Sequence, residues 1–193
     1  MTFKEKLKYI AARLGTNPRW LYAVMWHESR LKPYSVNSKG CVGLIQFCPE
    51  TGEKLVGYSP EQIRQMPATQ QLDLVYKYFY HTAIAKGVKL DSPVKVFLTV
   101  FYPYALYSGK YKKLNYIIGS EKGLDYARTV AAQNPGLDMD KDGYISMLDF
   151  NRYVNKTLWK LKIMPYVNTA FAIAFVVSLI FILYAYKSVK IKW

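Results

Sequence analysis

Apolar residues in the first 163 positions recur mostly three or four residues apart, the spacing of one face of a helix. The N-terminal segment is an example, since Phe3, Leu7, Ile10 and Leu14 alternate with lysines. No stretch shows the sustained period-two alternation that is typical of a half-buried strand. The pattern therefore predicts a mostly α fold.

Residues that are typical of helix starts and ends indicate where the individual helices begin and end. A polar N-cap residue followed by proline predicts helix starts at Asn17-Pro18, Ser59-Pro60 and Ser92-Pro93. We predict helices over 17–31, closed by Lys32-Pro33, from Ala68 to about Lys86, from Pro93 to about Tyr107 with a break at Pro103, and from Glu121 to about Gln133. Between them, Val36 to Cys48 contains two glycines in a short apolar run, which predicts a turn and a small extended or hairpin-like piece.

The apolar pattern changes at 166–186, which contains no charged residue. At about 1.5 Å per residue, a helix of this length spans the hydrocarbon core of a bilayer. Tyrosines lie at both ends of the segment and lysines flank it on both sides, as is typical of membrane interfaces. We therefore predict one C-terminal transmembrane helix.

Lys and Arg number 27 against 13 Asp and Glu, which gives a formal net charge of +14. A positive field of this size favours an anionic partner: nucleic acid, acidic lipid or the carboxylate-rich bacterial cell wall. The basic residues are scattered among apolar residues and tyrosines, and no run has the spacing of a nucleic-acid motif. We expect no nucleic-acid partner.

The two cysteines, Cys41 and Cys48, both lie in the hairpin-like segment. A disulfide between them and a pair of small buried thiols are both compatible with this spacing. The spacing does not suit a zinc site, and neither His27 nor His81 completes one.

Glu28 lies near the end of the helix predicted over 17–31, in an apolar and aromatic stretch. Apolar surroundings and the partial negative charge at a helix C-terminus both favour the neutral form of a carboxyl group, which donates protons. Position alone does not separate a catalytic acid from an ordinary surface glutamate.

Three sequence motifs, the first of which contains Glu28, distinguish a catalytic acid from a surface glutamate. Glu28-Ser29, Ser38-Lys39-Gly40 and Gly43-Leu44-Ile45-Gln46 stand in the order and at the spacing of the lytic transglycosylase family with the lysozyme-like fold of soluble transglycosylases. Pro49-Glu50-Thr51 resembles the next motif of that family, Pro-Gly-Thr. The chain resembles this family over about 17–149.

The resemblance implies a lysozyme-like domain that cleaves peptidoglycan with Glu28 as its catalytic residue and without a catalytic cofactor. By the same resemblance Ser29 steadies the site, Gln46 holds the acetamido group of a sugar, and Tyr102 hydrogen-bonds Glu28. Tyr102 comes from Phe101-Tyr102-Pro103, which keeps only the tyrosine of the family's Ala-Tyr-Asn motif. We group Ser29, Gln46 and Tyr102 as predicted substrate-binding residues.

No motif marks a second carboxylate, which two-carboxylate hydrolysis requires. We therefore expect Glu28 to act first as acid and then as base, which gives a 1,6-anhydromuramoyl product. A muramidase of goose-lysozyme type, which hydrolyses the same bond, is the alternative enzyme. A non-catalytic, calcium-stabilised membrane or virion protein is the alternative outside enzymes.

Residues 138–149 fit the twelve-residue calcium loop of an EF-hand, with Gly143 at the turn. We expect a structural Ca²⁺ ion bound by the side chains of Asp138, Asp140, Asp142 and Asp149 and by the carbonyl of Tyr144. A solvated acidic turn is the alternative. Because aspartate reaches less far than the usual glutamate at the last position, we expect weakened affinity.

These predictions divide the chain into a transglycosylase domain at 1–135, a calcium loop with its helix at 136–163, and an anchor with a basic tail at 164–193. The N-terminus does not read as a signal peptide. We therefore expect delivery in the membrane of a lipid-containing phage virion, with capsid or spike proteins as further partners. A bacterial inner-membrane location is the alternative.

Overall fold

The structure is a computed structural model that describes residues 1–163. The predicted transmembrane helix at 166–186 and the rest of 164–193 lie outside the described residues. Among the helices of the described part, none combines the length and the apolar character needed to cross a bilayer.

Residues 1–163 fold into α-helices joined by short loops, and their only extended pairings are isolated bridges. This confirms the prediction of a mostly α fold, which is consistent with a lysozyme-like domain. The α-helices are α1 (Phe3–Arg13), α2 (Pro18–Ser29), α3 (Pro49–Val56), α4 (Pro60–Arg64), α5 (Ala68–Thr82), α6 (Pro93–Phe101), α7 (Pro103–Tyr107), α8 (Leu124–Gln133) and α9 (Met147–Lys160). Single 3-10 turns occur at Ile84–Lys86, Lys110–Lys112 and Ser120–Lys122.

The predicted helix starts are confirmed by their caps. The side chains of Asn17, Ser59 and Ser92 each accept a hydrogen bond from a backbone N–H in the first turn of their helix. These bonds satisfy amide groups that the helix itself leaves without a partner. Pro103 separates α6 from α7, as expected of a residue without an amide proton.

Three helix ends were predicted imprecisely. α2 ends at Ser29 rather than at residue 31, because Arg30 and Leu31 adopt left-handed φ angles of 56° and 60°. α5 ends at Thr82 and is followed by a 3-10 turn, and α8 is preceded by one. In each case short-range backbone bonds replace the last or first helical turn.

The core is one continuous cluster that runs from Leu7 to Ile163. α2 lies within it and packs against α1, α6 and α9, while α5 packs against α1 and α3. Val154 and Leu158 of α9 are fully buried in this cluster. The second predicted unit, 136–163, therefore shares its core with 1–135.

The segment between α2 and α3 forms the predicted hairpin-like piece. Val42 pairs in antiparallel bridges with both Val36 and Phe47, so the chain folds back on itself twice in a dozen residues. Cys41 and Cys48 are joined by a disulfide, which resolves the alternative that the sequence left open. We call residues 41–48 the cleft loop.

Candidate active site

Glu28 lies in the last turn of α2, with 22% of its side chain exposed. Its Oε1 is 3.2 Å from Nδ1 of His27. The His27 ring packs edge-on against Tyr153 of α9, with 5.4 Å between centroids. The carboxyl group is thus partly buried yet reachable from solvent, as a proton donor to a large substrate must be.

Two tyrosines from distant parts of the chain lie near enough to Glu28 for its charge to raise their pKa. Burial and then the charge of Glu28 raise the pKa of Tyr78 on α5 to about 12. Burial also raises the pKa of Tyr153, and the charge of Glu28 adds to this shift. α5 and α9 therefore contribute to the electrostatic surroundings of Glu28, and both phenols stay neutral at ordinary pH.

Ser29 is buried and acts within the protein. Its Oγ lies 3.0 Å from the carbonyl oxygens of Met25 and Leu44, so its proton can be donated to either one. The second contact links α2 to the cleft loop. Only 5% of Ser29 is exposed, so it offers little surface to a sugar, and its assignment to substrate binding stays a prediction. Its role in steadying the site remains our proposal.

Gln46 lies on the cleft loop and is partly exposed. Its φ angle is 54°, a left-handed value that is uncommon for a residue other than glycine. Its Nε2 donates to the carbonyl of Gly43 at 3.0 Å, and so does its backbone N–H at 3.2 Å. The loop therefore holds Gln46 in a strained backbone conformation, two residues after Leu44, which contacts Ser29 at the end of α2. Substrate binding by Gln46 stays a prediction.

Gln71 of α5 is a buried residue that the sequence interpretation missed. Its Oε1 accepts from the N–H of Leu44 at 2.9 Å, and its Nε2 contacts the carbonyl oxygens of Pro33, Ile63 and Met66 at 2.8 to 3.2 Å. A Cβ atom on Gly43 would lie only 2.5 Å from the Gln71 Oε1. Gln71 therefore holds the cleft loop against α5. Its place on the apolar face of α5, one turn before Leu74 and Val75, was the available signal.

Tyr102 does not hydrogen-bond Glu28, which corrects the expectation from the resemblance. Its hydroxyl donates to Oε1 of Glu121, and the hydroxyl of Tyr116 donates to Oε2 of the same carboxylate at 2.5 Å. Pro103 ends α6 at Phe101, and Tyr102 then turns toward the 3-10 turn that carries Glu121. No sequence motif marked Glu121.

The Glu121 carboxylate is ionised and fixed. Burial raises its pKa, but the hydrogen bonds from Tyr102 and Tyr116 more than offset this, so the net shift is downward. Burial, and then the bond to Glu121, raise the pKa of both tyrosines. The three side chains form a rigid cluster of one anion and two neutral donors.

The acidic loop, residues 138–149, gathers three of its predicted ligands. Carboxylate oxygens of Asp138, Asp140 and Asp142 lie within 4.8 Å of one another. Asp138 Oδ2 also accepts from the N–H of Gly143 at 3.0 Å, so the turn wraps around this carboxylate. Such a set of oxygen donors suits a hard divalent cation.

Asp149 lies apart from this group and caps α9. Its Oδ2 accepts from the N–H and the hydroxyl of Ser146. Its Oδ1 is buried and, like Oδ1 of Asp138, has no hydrogen-bond partner within 1–163. The carbonyl of Tyr144 stays a predicted ligand.

Comparison with known proteins agrees with this geometry over the first part of the chain. Residues 6–80 match the family model of the transglycosylase SLT domain, a range that includes Glu28, the cleft loop and Gln71. No curated protein and no solved structure matches the chain. Residues 6–80 therefore match the transglycosylase SLT domain, the domain of lytic transglycosylases that act on peptidoglycan.

Proposed function

We propose that the enzyme cleaves the β-1,4 bond between N-acetylmuramic acid and N-acetylglucosamine, with Glu28 as its single acid and base. The observation that carries this proposal is the placement of Glu28. It is partly buried at the end of α2, its charge raises the pKa of two nearby neutral tyrosines, and the adjacent Ser29 joins this helix end to the loop that carries Gln46.

The reaction would run in two proton transfers. Protonated Glu28 donates to the glycosidic oxygen as the bond to the muramoyl C1 breaks, and the acetamido group of the substrate stabilises the positive charge that develops there. Ionised Glu28 then removes the proton from the muramoyl 6-hydroxyl, whose oxygen bonds to C1. The enzyme returns to its protonated state, and the product ends in a 1,6-anhydromuramoyl unit.

Substrate contacts follow from the exposed groups around Glu28. Gln46 would hold the acetamido group, because its amide matches the donor and acceptor pair of an N-acetyl substituent. Ser29 would act indirectly, by keeping the cleft loop against α2. Tyr102 would form part of the adjoining wall of the cleft.

Mass spectrometry of muropeptides after digestion tests the chemistry. We expect 1,6-anhydromuramoyl ends, and Glu28→Gln should lower the rate by at least about a hundredfold while the melting temperature is retained. Reducing ends would instead identify a hydrolase. Near wild-type cleavage by Glu28→Gln would remove Glu28 from the mechanism.

We also propose that the acidic loop binds a structural Ca²⁺ ion in the manner of an EF-hand. Asp138, Asp140 and Asp142 would supply the close carboxylate oxygens, joined by the Tyr144 carbonyl and by Asp149 after a small shift of its side chain. Two observations support this: three carboxylates lie close together, and buried oxygens of Asp138 and Asp149 lack a hydrogen-bond partner in the described part of the chain. The ion would supply positive charge to the loop and take no part in glycan cleavage.

For placement, we propose a C-terminal membrane anchor at 166–186 in a lipid-containing phage virion, with capsid or spike proteins as neighbours. Trp159 supports a lipid surface near the end of α9, because its side chain is 77% exposed and is followed by two lysines. Protease shaving of purified virions, with and without detergent, is the test. Absence of the protein from virions, with digestion from the periplasmic face of host membranes, would favour the inner membrane.

A further inference from the structure

A groove of about 360 Å³ opens beside Tyr102, between the turn that joins α6 to α7 and the 3-10 turn at Ser120–Lys122. It lies outside the matched range 6–80. Its lining combines aromatic rings with one anion and one cation: Tyr102, Pro103, Tyr104, Tyr107, Glu121 and Lys122.

The carboxylate in this groove keeps capacity for a ligand. Tyr102 and Tyr116 each donate one hydrogen bond to Glu121, one to each oxygen. A carboxylate offers about four acceptor positions, so these two bonds leave room for hydroxyl or amide protons of a ligand. Because both tyrosines hold Glu121 in place, a ligand would meet an acceptor that is already oriented.

The rings in the groove are exposed, unlike most tyrosine rings that belong to a core. Tyr104 is 40% exposed and Tyr107 is 44% exposed. Tyr102 packs edge-on against Tyr104, with 6.4 Å between centroids, which fixes the Tyr104 ring next to Glu121. An aromatic surface beside an oriented acceptor suits a pyranose, which has a C–H face and hydroxyl and amide donors along its edge.

The groove begins where α6 ends, and α6 packs against α2, whose last turn carries Glu28. Tyr78 lies beside this end of α6, since its hydroxyl donates to the carbonyl of Thr99 at 3.4 Å. The charges of Glu28 and Tyr107 both contribute to the raised pKa of Tyr78. A glycan strand bound at Glu28 would therefore place a neighbouring sugar in the groove.

We propose that this groove is a glycan subsite, in which Glu121 accepts hydrogen bonds from an N-acetylamino sugar and Tyr104 and Tyr107 contact its ring. The subsite rests on the proposed glycan cleavage and adds three binding residues to it. It would hold a sugar next to the pair whose bond is broken, and so would contribute to the affinity for long strands rather than to the chemical step.

Binding of chitohexaose, an N-acetylglucosamine oligomer without stem peptides, provides the test. It is measured by isothermal titration in the uncleaving Glu28→Gln background. We expect Tyr107→Ala and Glu121→Gln each to weaken binding at least fivefold. Tyr9→Ala removes a tyrosine of similar exposure, 52% against 44% for Tyr107, from α1 and should change nothing. With Glu28 restored, the groove variants should raise KM for peptidoglycan more than they lower kcat.

Three results separate the possible failures. Unchanged chitohexaose affinity in both variants, at an unchanged melting temperature, overturns the subsite even if the wild-type enzyme forms 1,6-anhydromuramoyl ends. Loss of affinity only for stem-bearing muropeptides overturns the glycan assignment in favour of peptide binding. Absence of 1,6-anhydromuramoyl products from the wild-type enzyme refutes the proposed reaction, whereas the titration still reports on the groove. Tyr107→Ala keeps the test valid if Glu121→Gln loosens the tyrosine cluster.

Discussion

The cleft loop and the acidic loop are both short segments fixed to a helix end, but by different chemistry. The cleft loop is closed by a disulfide and by two hydrogen bonds with neutral side chains: Ser29 donates to the carbonyl of Leu44, and Gln71 accepts from the N–H of Leu44. The acidic loop is folded around carboxylates that accept from its own backbone amides. Only the acidic loop, of the two, has buried oxygens without a partner in the described residues.

The difference shows what each loop needs in order to keep its shape. Neutral donors and acceptors on α2 and α5 satisfy polar groups of the cleft loop, so its shape depends on protein groups alone. Carboxylates within 4.8 Å of one another repel unless positive charge is added. We therefore expect the cleft loop to be sensitive to the loss of single hydrogen-bonding side chains, and the acidic loop to be sensitive to the solution composition.

The largest effect should come from Gln71→Ala. This change removes the acceptor of the Leu44 N–H and the amide group that contacts three carbonyl oxygens, two of them buried. We expect the free energy of unfolding to fall by about 3 kcal/mol, because buried polar groups would be left unsatisfied. Urea unfolding measures this loss in the free energy of unfolding. Gln70→Ala, an exposed neighbour, is the matched control, and equal effects of the two changes would show that the contacts of Gln71 add nothing to stability.

Calcium should produce the next largest effect. At a free concentration about one hundred times its Kd, an ion bound only by the folded chain stabilises it by about 2.7 kcal/mol. We expect calcium to raise the melting temperature of the detergent-solubilised chain, and Asp149→Asn to abolish most of that increase while keeping the cap of α9. Asp125→Asn removes a fully exposed carboxylate and serves as control. If calcium changes neither the parent nor the variants, the acidic loop is only a solvated turn.

Reduction of the Cys41–Cys48 disulfide should lower the free energy of unfolding by slightly less than calcium raises it. A loop of this length loses about 2 kcal/mol of stabilisation when its cross-link is removed, on the chain-entropy account. We expect Cys41→Ser with Cys48→Ser to lower the melting temperature and the affinity for glycan, because Gln46 lies inside the closed loop. Dithiothreitol should reproduce the loss in the parent and leave the double variant unchanged. A parent that is insensitive to reduction would show that the hydrogen bonds suffice.

Local signals predicted much of this structure from the sequence. Capping residues and prolines predicted the starts of α2, α4 and α6, because these signals act within one helical turn. The hairpin-like form of the cleft loop followed from its glycines. Side-chain partners were harder to predict, since Tyr78 and Tyr153, whose pKa the charge of Glu28 raises, come from helices that follow it by many residues.

The predicted partner of Tyr102 was wrong for the same reason. The motif around it resembles a family in which the tyrosine meets the catalytic carboxyl group, but only the tyrosine is kept here. Its actual partner, Glu121, comes from a 3-10 turn that no periodicity indicates. The sequence alone also left the disulfide open, because seven residues of separation permit a bond without requiring one.

The smallest effect on stability should come from Ser29→Ala, and it tests how α2 and the cleft loop are joined. Loss of one buried hydroxyl hydrogen bond should lower the free energy of unfolding by about 1 kcal/mol. The effect on catalysis should be larger than this figure implies, because the bond to Leu44 O sets the position of Gln46 relative to Glu28. Thr129→Ala is the matched control, since its hydroxyl also bonds the carbonyl four residues earlier but does so on an exposed helix. We expect Ser29→Ala to lower kcat and raise KM at a temperature where it remains folded, while Thr129→Ala changes neither. If both variants keep wild-type kinetics, the disulfide and Gln71 hold the cleft loop without Ser29.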